Sequence, residues 1–193
     1  MTLQIASDQL NQADVPLWLI TAEVEDQLGG LIATFVQTAS LVADMPRVVV
    51  GLAKHHHTTS LIAESRVFGL HSLSEANIDL VWHFGMQSGK AANKFADIDY
   101  ELNQGVPLLR NVPLTMQCQV EAVMDAGDRL LFLSAIESVE KNFDAQPLFR
   151  NRMVELATPE QLAEMRRQRE TDSETDRRAI ELWRIMQAGD ASQ

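Results

Sequence analysis

The chain has 193 residues, 46% of them apolar, a formal net charge of −11 and one cysteine. That length and apolar share suit one domain with a real core and room for a terminal addition. The charge excludes broad contact with nucleic-acid phosphates, and the lone Cys118 excludes an intramolecular disulfide or a four-cysteine metal site. Met1 to Asp14 holds Asp8 and Asp14 but no basic residue, unlike a secretory signal, and no apolar run is long enough to cross a bilayer. The chain therefore reads as soluble and cytoplasmic, with neither a membrane nor a nucleic acid as partner.

In chain order, Pro16 to Val24 is apolar and β-favouring, and Asp26 to Gly30 reads as a turn with Gly29 and Gly30 at positive φ. Leu31 to Val36 reads as a second strand, Val48 to Val50 as a buried strand and Val67 to Leu73 as another. Ser74 is placed to cap a helix, in which Ile78, Val81 and Trp82 recur at helical spacing up to Gly85. From Leu114 to Met124 apolar residues alternate with Thr115, Gln117, Gln119 and Glu121, which predicts a strand with one buried face. Asp125 to Asp128 is a hairpin turn and Leu130 to Val139 the returning strand. After Leu156 the composition becomes charged. Thr158-Pro159-Glu160-Gln161 is a helix start, Ser173 predicts the start of a second helix, and Ala179, Ile180, Trp183 and Met186 form one apolar stripe. The chain divides at this level into a mostly antiparallel β domain, residues 1–153, and a charged helical extension, residues 154–193.

Two segments carry candidate chemistry. Leu31 to Leu41 offers Thr34, Gln37, Thr38 and Ser40 as donors for the carbonyl oxygens of a planar heteroaromatic ligand, or simply a strand with a polar outer face. Gly51 to Ile62 runs from a strand through Lys54 and three histidines into Thr58 and Thr59 at the start of a short helix, where free N–H groups and a lysine suit a phosphate. Adjacent histidines on a regular strand or helix point apart, so the run reads as a solvated or phosphate-facing loop and no metal site is assigned. Lys90 and Lys94 are either phosphate ligands or surface lysines, and Cys118 shares the apolar face of its strand and is expected to be core.

Taken in order, these segments resemble the flavin reductase-like branch of the FMN-binding split-barrel proteins. The resemblance runs from residue 16 to residue 153. It is carried by Pro16 to Thr21, Gly30 to Leu41, Leu52-Ala53-Lys54 with Thr58, and Phe68 to Glu75. Phe84-Gly85, Ser88-Gly89-Lys90, Lys94-Phe95, Gly105 to Leu109, Cys118 to Glu121 and Pro147 to Arg150 continue it. It implies a six-stranded Greek-key split β-barrel with flanking short helices, a homodimer, and FMN held between subunits. The cofactor positions it implies are Thr34, Gln37, Thr38, Ala39, Ser40, Lys54, His56, Thr58, Phe84 and Lys94. The implied reaction is hydride transfer from NADH or NADPH to the flavin, which reduces an onward acceptor or serves a partner oxygenase, with no catalytic side chain required. Two positions depart from the pattern. His56 stands where the family often has Ser, and Arg129 stands where many reductases have a histidine associated with the nicotinamide. The second departure leaves a flavin carrier or electron-transfer protein as the alternative.

Overall fold

The computed structural model describes residues 3–86 and 94–190, so the expectations for Ser88, Gly89 and Lys90 lie outside the described residues. After a short helix α1 (Leu3–Leu10), the chain forms β1 (Trp18–Val24), β2 (Gln27–Ala33), β3 (Val36–Thr38) and β4 (Arg47–Ala53). Helix α2 (His57–Ser65), β5 (Val67–Ser72), a 3-10 turn (Glu75–Asn77) and α3 (Ile78–Met86) follow. The rest is β6 (Tyr100–Asn103), β7 (Val106–Leu109), β8 (Leu114–Asp125), β9 (Arg129–Lys141), α4 (Arg150–Leu156) and α5 (Pro159–Asp190).

Seven strands form one antiparallel sheet in the order β2-β1-β5-β8-β9-β4-β3, and β6 and β7 form a separate hairpin. The main sheet thus has seven strands where the resemblance implies six. Its two edges, β2 and β3, are joined only by Thr34 and Phe35. So short a link spans at most ~10 Å, so the sheet must curl until its edges nearly meet. Ile20, Val50, Leu52, Ile62, Phe68, Leu70, Cys118 and Phe132 fill the inside of the curl. A second core, containing Leu19, Leu73, Val81, Phe84, Phe95, Leu148 and Met153, seats α3 and α4 on the outside.

Within the β domain the structure changes three further expectations. The Asp26 to Gly30 turn is instead a two-residue turn at Glu25 and Asp26, both at positive φ (49° and 65°), with Val24 opposite Gln27. That is the backbone twist a tight hairpin requires. Gly29 and Gly30 are strand residues whose missing side chains leave room for helices. A Cβ on Gly29 would lie 2.8 Å from Leu61, and one on Gly30 would lie 2.5 Å from the Phe84 ring. The expected strand Leu31 to Val36 breaks at Thr34-Phe35, where Gly51 N–H donates to the Phe35 carbonyl at 2.9 Å. Finally, the expected alternation of β8 is not followed: Thr115 and Gln117 are buried along with Met116 and Cys118, Val120 is the last buried residue, and the strand is exposed beyond it. Register shifts at Gln117/Cys118 and Val120/Ala122 bend the strand, and Ala122 and Met124 are exposed.

The tail is one helix of 32 residues and not two: Ser173, expected to start a second helix, is exposed in its middle. Its expected start holds: Thr158 N–H donates to Gln161 Oε1 at 2.8 Å, and Gln161 N–H to Thr158 Oγ1 at 3.2 Å. The two bonds form a capping box that satisfies backbone donors from both sides. Farther along, α5 lies over the β8–β9 turn, where a Cβ on Gly127 (φ 96°) would lie 3.1 Å from Trp183 and 3.3 Å from Ile180. Met165 packs against the outer core, and Met186 of the expected stripe is exposed. Among the described residues no helix is long and apolar enough to cross a membrane.

Candidate functional site

The polar segment after β2 and the histidine loop after β4 are brought together by strand pairing. In register, Val36 faces Val50, Gln37 faces Val49 and Thr38 faces Val48. β3 is the outermost strand, so its far side carries no backbone partner within the sheet. Gln37 and Thr38 are exposed there, while Thr34, Ala39 and Ser40 are half-buried. Ala39 N–H donates to the Arg47 carbonyl at 2.8 Å, and Ser40 Oγ accepts from Val42 N–H at 3.0 Å. β4 then delivers the loop Lys54-His55-His56 to α2. From the level of Thr38 to Lys54 is roughly 20 Å at ordinary strand rise. Gln37 to Ser40 thus stand toward one end of this edge and the helix start at the other, with Thr34 between them.

No side chain caps that helix start, His56 included. Its first N–H groups lie at the positive end of the helix dipole. Thr59 is turned back, its hydroxyl donating to the Ala53 carbonyl at 2.8 Å. Thr58 is buried, with its Oγ1 3.0 Å from the position a Gly29 Cβ would take. Lys54 is exposed at the rim and paired with Asp125, Nζ to Oδ2 at 2.6 Å, which holds the Asp125 carboxyl below its ordinary range. Burial lowers the pKa of His56, and His55, Lys94 and Arg129 add to that, against the opposing field of Asp172. His56 is thereby disposed to stay neutral.

Phe84 and Lys94 sit behind this surface rather than on it. Phe84 is buried against Gly30 and meets Phe95 edge to face. Lys94, 5% exposed, donates to the carbonyls of Gly30 at 3.1 Å and Phe84 at 2.8 Å, and burial lowers its pKa to about 8. Lys94 thus staples β2 to α3, and its charge reaches His56 as a field rather than a contact.

The family model for a flavin reductase like domain matches residues 11–156, about three quarters of the chain. The chain belongs to the flavin reductase-like family. A high molecular weight rubredoxin of Moorella thermoacetica is 27% identical over 135 residues, covering 68% of this chain and 58% of that protein. An NADH-dependent FMN reductase of Agrobacterium fabrum is 30% identical over 99 residues, covering 51% and 55%. The chain therefore spans a little over half the length of these two relatives. Among solved structures, a flavin reductase domain protein from Arthrobacter sp. FB24 superposes with a TM-score of 0.69 at 20% identity, covering 77% of this chain and 90% of that one. At that identity the likeness shows the fold.

Arg129, which the resemblance sets where many reductases have a histidine, has three neighbours in the structure. Its Nε donates to Asp128 at 2.7 Å, its NH2 group lies 3.3 Å from Asp176 of α5, and its guanidinium covers the Phe35 ring at 4.6 Å. It is neither free for an anion nor simply exposed. The residues that sequence reasoning missed are Asp172 and Asp176. Both flank His55, Asp172 at 3.2 Å from Nε2 and Asp176 at 3.6 Å from Nδ1. Their spacing of four does place them on one helix face, but only the docking of α5 places that face at the loop.

Proposed function

We propose that this chain binds FMN between two copies of itself and moves hydride equivalents from NAD(P)H through the flavin to a further acceptor, in the manner of an FMN reductase. The carrying observation is the β3–β4 pairing. It lays Thr34, Gln37, Thr38, Ala39 and Ser40 along the strand that leads to Lys54 and the uncapped start of α2. That order of groups fits an elongated ligand with a polar ring system at one end and a phosphate at the other. Exposed Leu41, Val42 and Met45 beside β3 supply an apolar surface for a second copy. When bound, the flavin supplies the redox chemistry. The chain's part is to orient the ring along β3, hold the phosphate with α2 N–H groups and Lys54, and exclude water once the second copy covers Phe35 and Leu41.

The test is fluorescence titration with FMN and with riboflavin. Lys54→Ala should weaken FMN by about tenfold or more, since a charge-assisted contact is worth about 1.5–3 kcal/mol, and should leave riboflavin nearly unchanged. Equal losses for both ligands would put the phosphate elsewhere. Arg129, held by Asp128 and Asp176, favours a second reading: a flavin-binding electron carrier without NAD(P)H turnover. Anaerobic addition of NADH or NADPH to the FMN-loaded protein separates the two. Rapid loss of the flavin's visible absorbance supports the reductase, and persistent colour with unimpaired FMN binding supports the carrier.

A further inference from the structure

The histidine run acquires a partner that its own segment does not contain. His55 and His56 lie in the turn between β4 and α2, outside both elements, so the rule that neighbouring side chains point apart does not govern them. Their rings meet edge to face at 4.4 Å between centroids. Across from them, α5 presents Asp172, whose Oδ1 is 3.2 Å from His55 Nε2. One donor atom from each of His55, His56 and Asp172 falls within 4.8 Å of the others. We propose that these three residues bind a divalent transition-metal ion of the zinc type, which ties α5 to the loop.

Bond lengths make the proposal specific. Zinc takes nitrogen and oxygen ligands at about 2.0–2.2 Å in a tetrahedron, so two ligands of one ion stand about 3.4 Å apart. The His55–Asp172 separation is already of that size, and a modest side-chain rotation brings in His56. Three protein ligands leave one position for water. The ligand chemistry also fits, since imidazole and carboxylate suit a borderline ion.

A separate observation supports the site. Asp176 Oδ1 is buried without a hydrogen-bond partner and lies 3.6 Å from His55 Nδ1, on the ring edge away from Asp172. A metal on Nε2 fixes the proton on Nδ1, and a carboxylate on that side commonly orients such a ring. The orphaned oxygen therefore stands where an outer partner belongs, and Arg129 holds the carboxylate's other oxygen at 3.3 Å. The site takes His56 for the metal. The flavin reading keeps Lys54, Thr58 and the helix N–H groups, and zinc alone, without flavin, tests the metal site independently.

The experiment is calorimetric titration of the full, chelator-treated, flavin-free chain with zinc chloride. One saturable ion per chain is expected. His55→Ala and Asp172→Asn should each weaken it by at least about tenfold, while His57→Ala should leave it unchanged. Asp172 is half-exposed, so Asp172→Asn should retain the helical circular-dichroism signal, and the wild-type stoichiometry stands apart from any variant. Absence of saturable uptake by the wild type would overturn the proposal. So would an Asp172→Asn protein that binds zinc as tightly as wild type, because the histidine run would then act without α5.

Discussion

His71 has no exposed surface, and its two backbone partners define its tautomer. Leu109 N–H must donate to Nε2 (3.1 Å), so the proton sits on Nδ1 and is given to the Leu19 carbonyl (3.0 Å). Burial lowers its pKa from 6.5 to about 4, against the raising effect of the Leu19 bond. Below pH 6.5 the unfolded chain takes a proton that the folded chain refuses, so this part of the stability is present above 6.5 and is lost as pH falls toward 4. The full loss is roughly 3 kcal/mol. Urea unfolding at pH 7 and pH 5 should show wild type losing more than His71→Gln; parallel losses would remove His71 as the source. Gly30→Ala should cost about 1–3 kcal/mol, because the new Cβ would lie 2.5 Å from the Phe84 ring, whose place is set by the surrounding core. A denaturant midpoint equal to wild type would show that α3 can shift freely. Cys118 is fully buried on β8, as its alternation predicts, and burial pushes its thiol up to about 12. It should resist thiol reagents in the native state, whereas rapid labelling would mean that the sheet opens.

At the scale of elements, α5 is a helix whose own composition gives it little reason to persist. It is highly charged, and an isolated helix of this kind is marginal in water. Its support is local: Trp183 and Ile180 on the Gly127 turn, Met165 at the outer core, Gln168 donating to the Met86 carbonyl at 3.2 Å, and Asp176 at Arg129. Removing residues 158–193 forfeits these contacts. Three partly buried apolar side chains at about 1 kcal/mol each correspond to a melting temperature lower by about 6–12 °C. Trp183→Ala should account for a good part of that drop. Unchanged melting of the truncated chain would mean that the docking contributes nothing to stability.

For the whole molecule, the family assignment and the proposed site make association and flavin binding one question. Sedimentation with and without FMN should give a mass of two chains when the flavin is bound. A monomer that binds FMN with full affinity would leave the exposed Leu41, Val42 and Met45 without the role given to them. Much of the scaffold was legible in the sequence: the β1, β4, β5 and β9 segments, the helix starts at Ser74 and Thr158, and the burial of Met116, Cys118 and Val120 on β8, though not that of Thr115 and Gln117. The turn before β2 was misread because Gly29 and Gly30 carry the usual sign of positive φ. Their actual service is to admit Phe84 and Leu61, which lie far away in sequence.

The family, the antiparallel β character and the two segments that hold the candidate site's polar groups are carried by residue pattern alone. These rest on short-range pattern: alternation along a strand, caps at helix ends, and motif order. It takes the packing of whole elements to make β2 and β3 opposite edges of one curled sheet and to set Lys94 and Phe84 behind the site. That packing alone sets Asp172 and Asp176 against His55 and Arg129. Periodicity tells a residue which face of its own element it occupies. It carries no information about which distant face will pack there, since packing depends on how whole elements bury their apolar surfaces against one another.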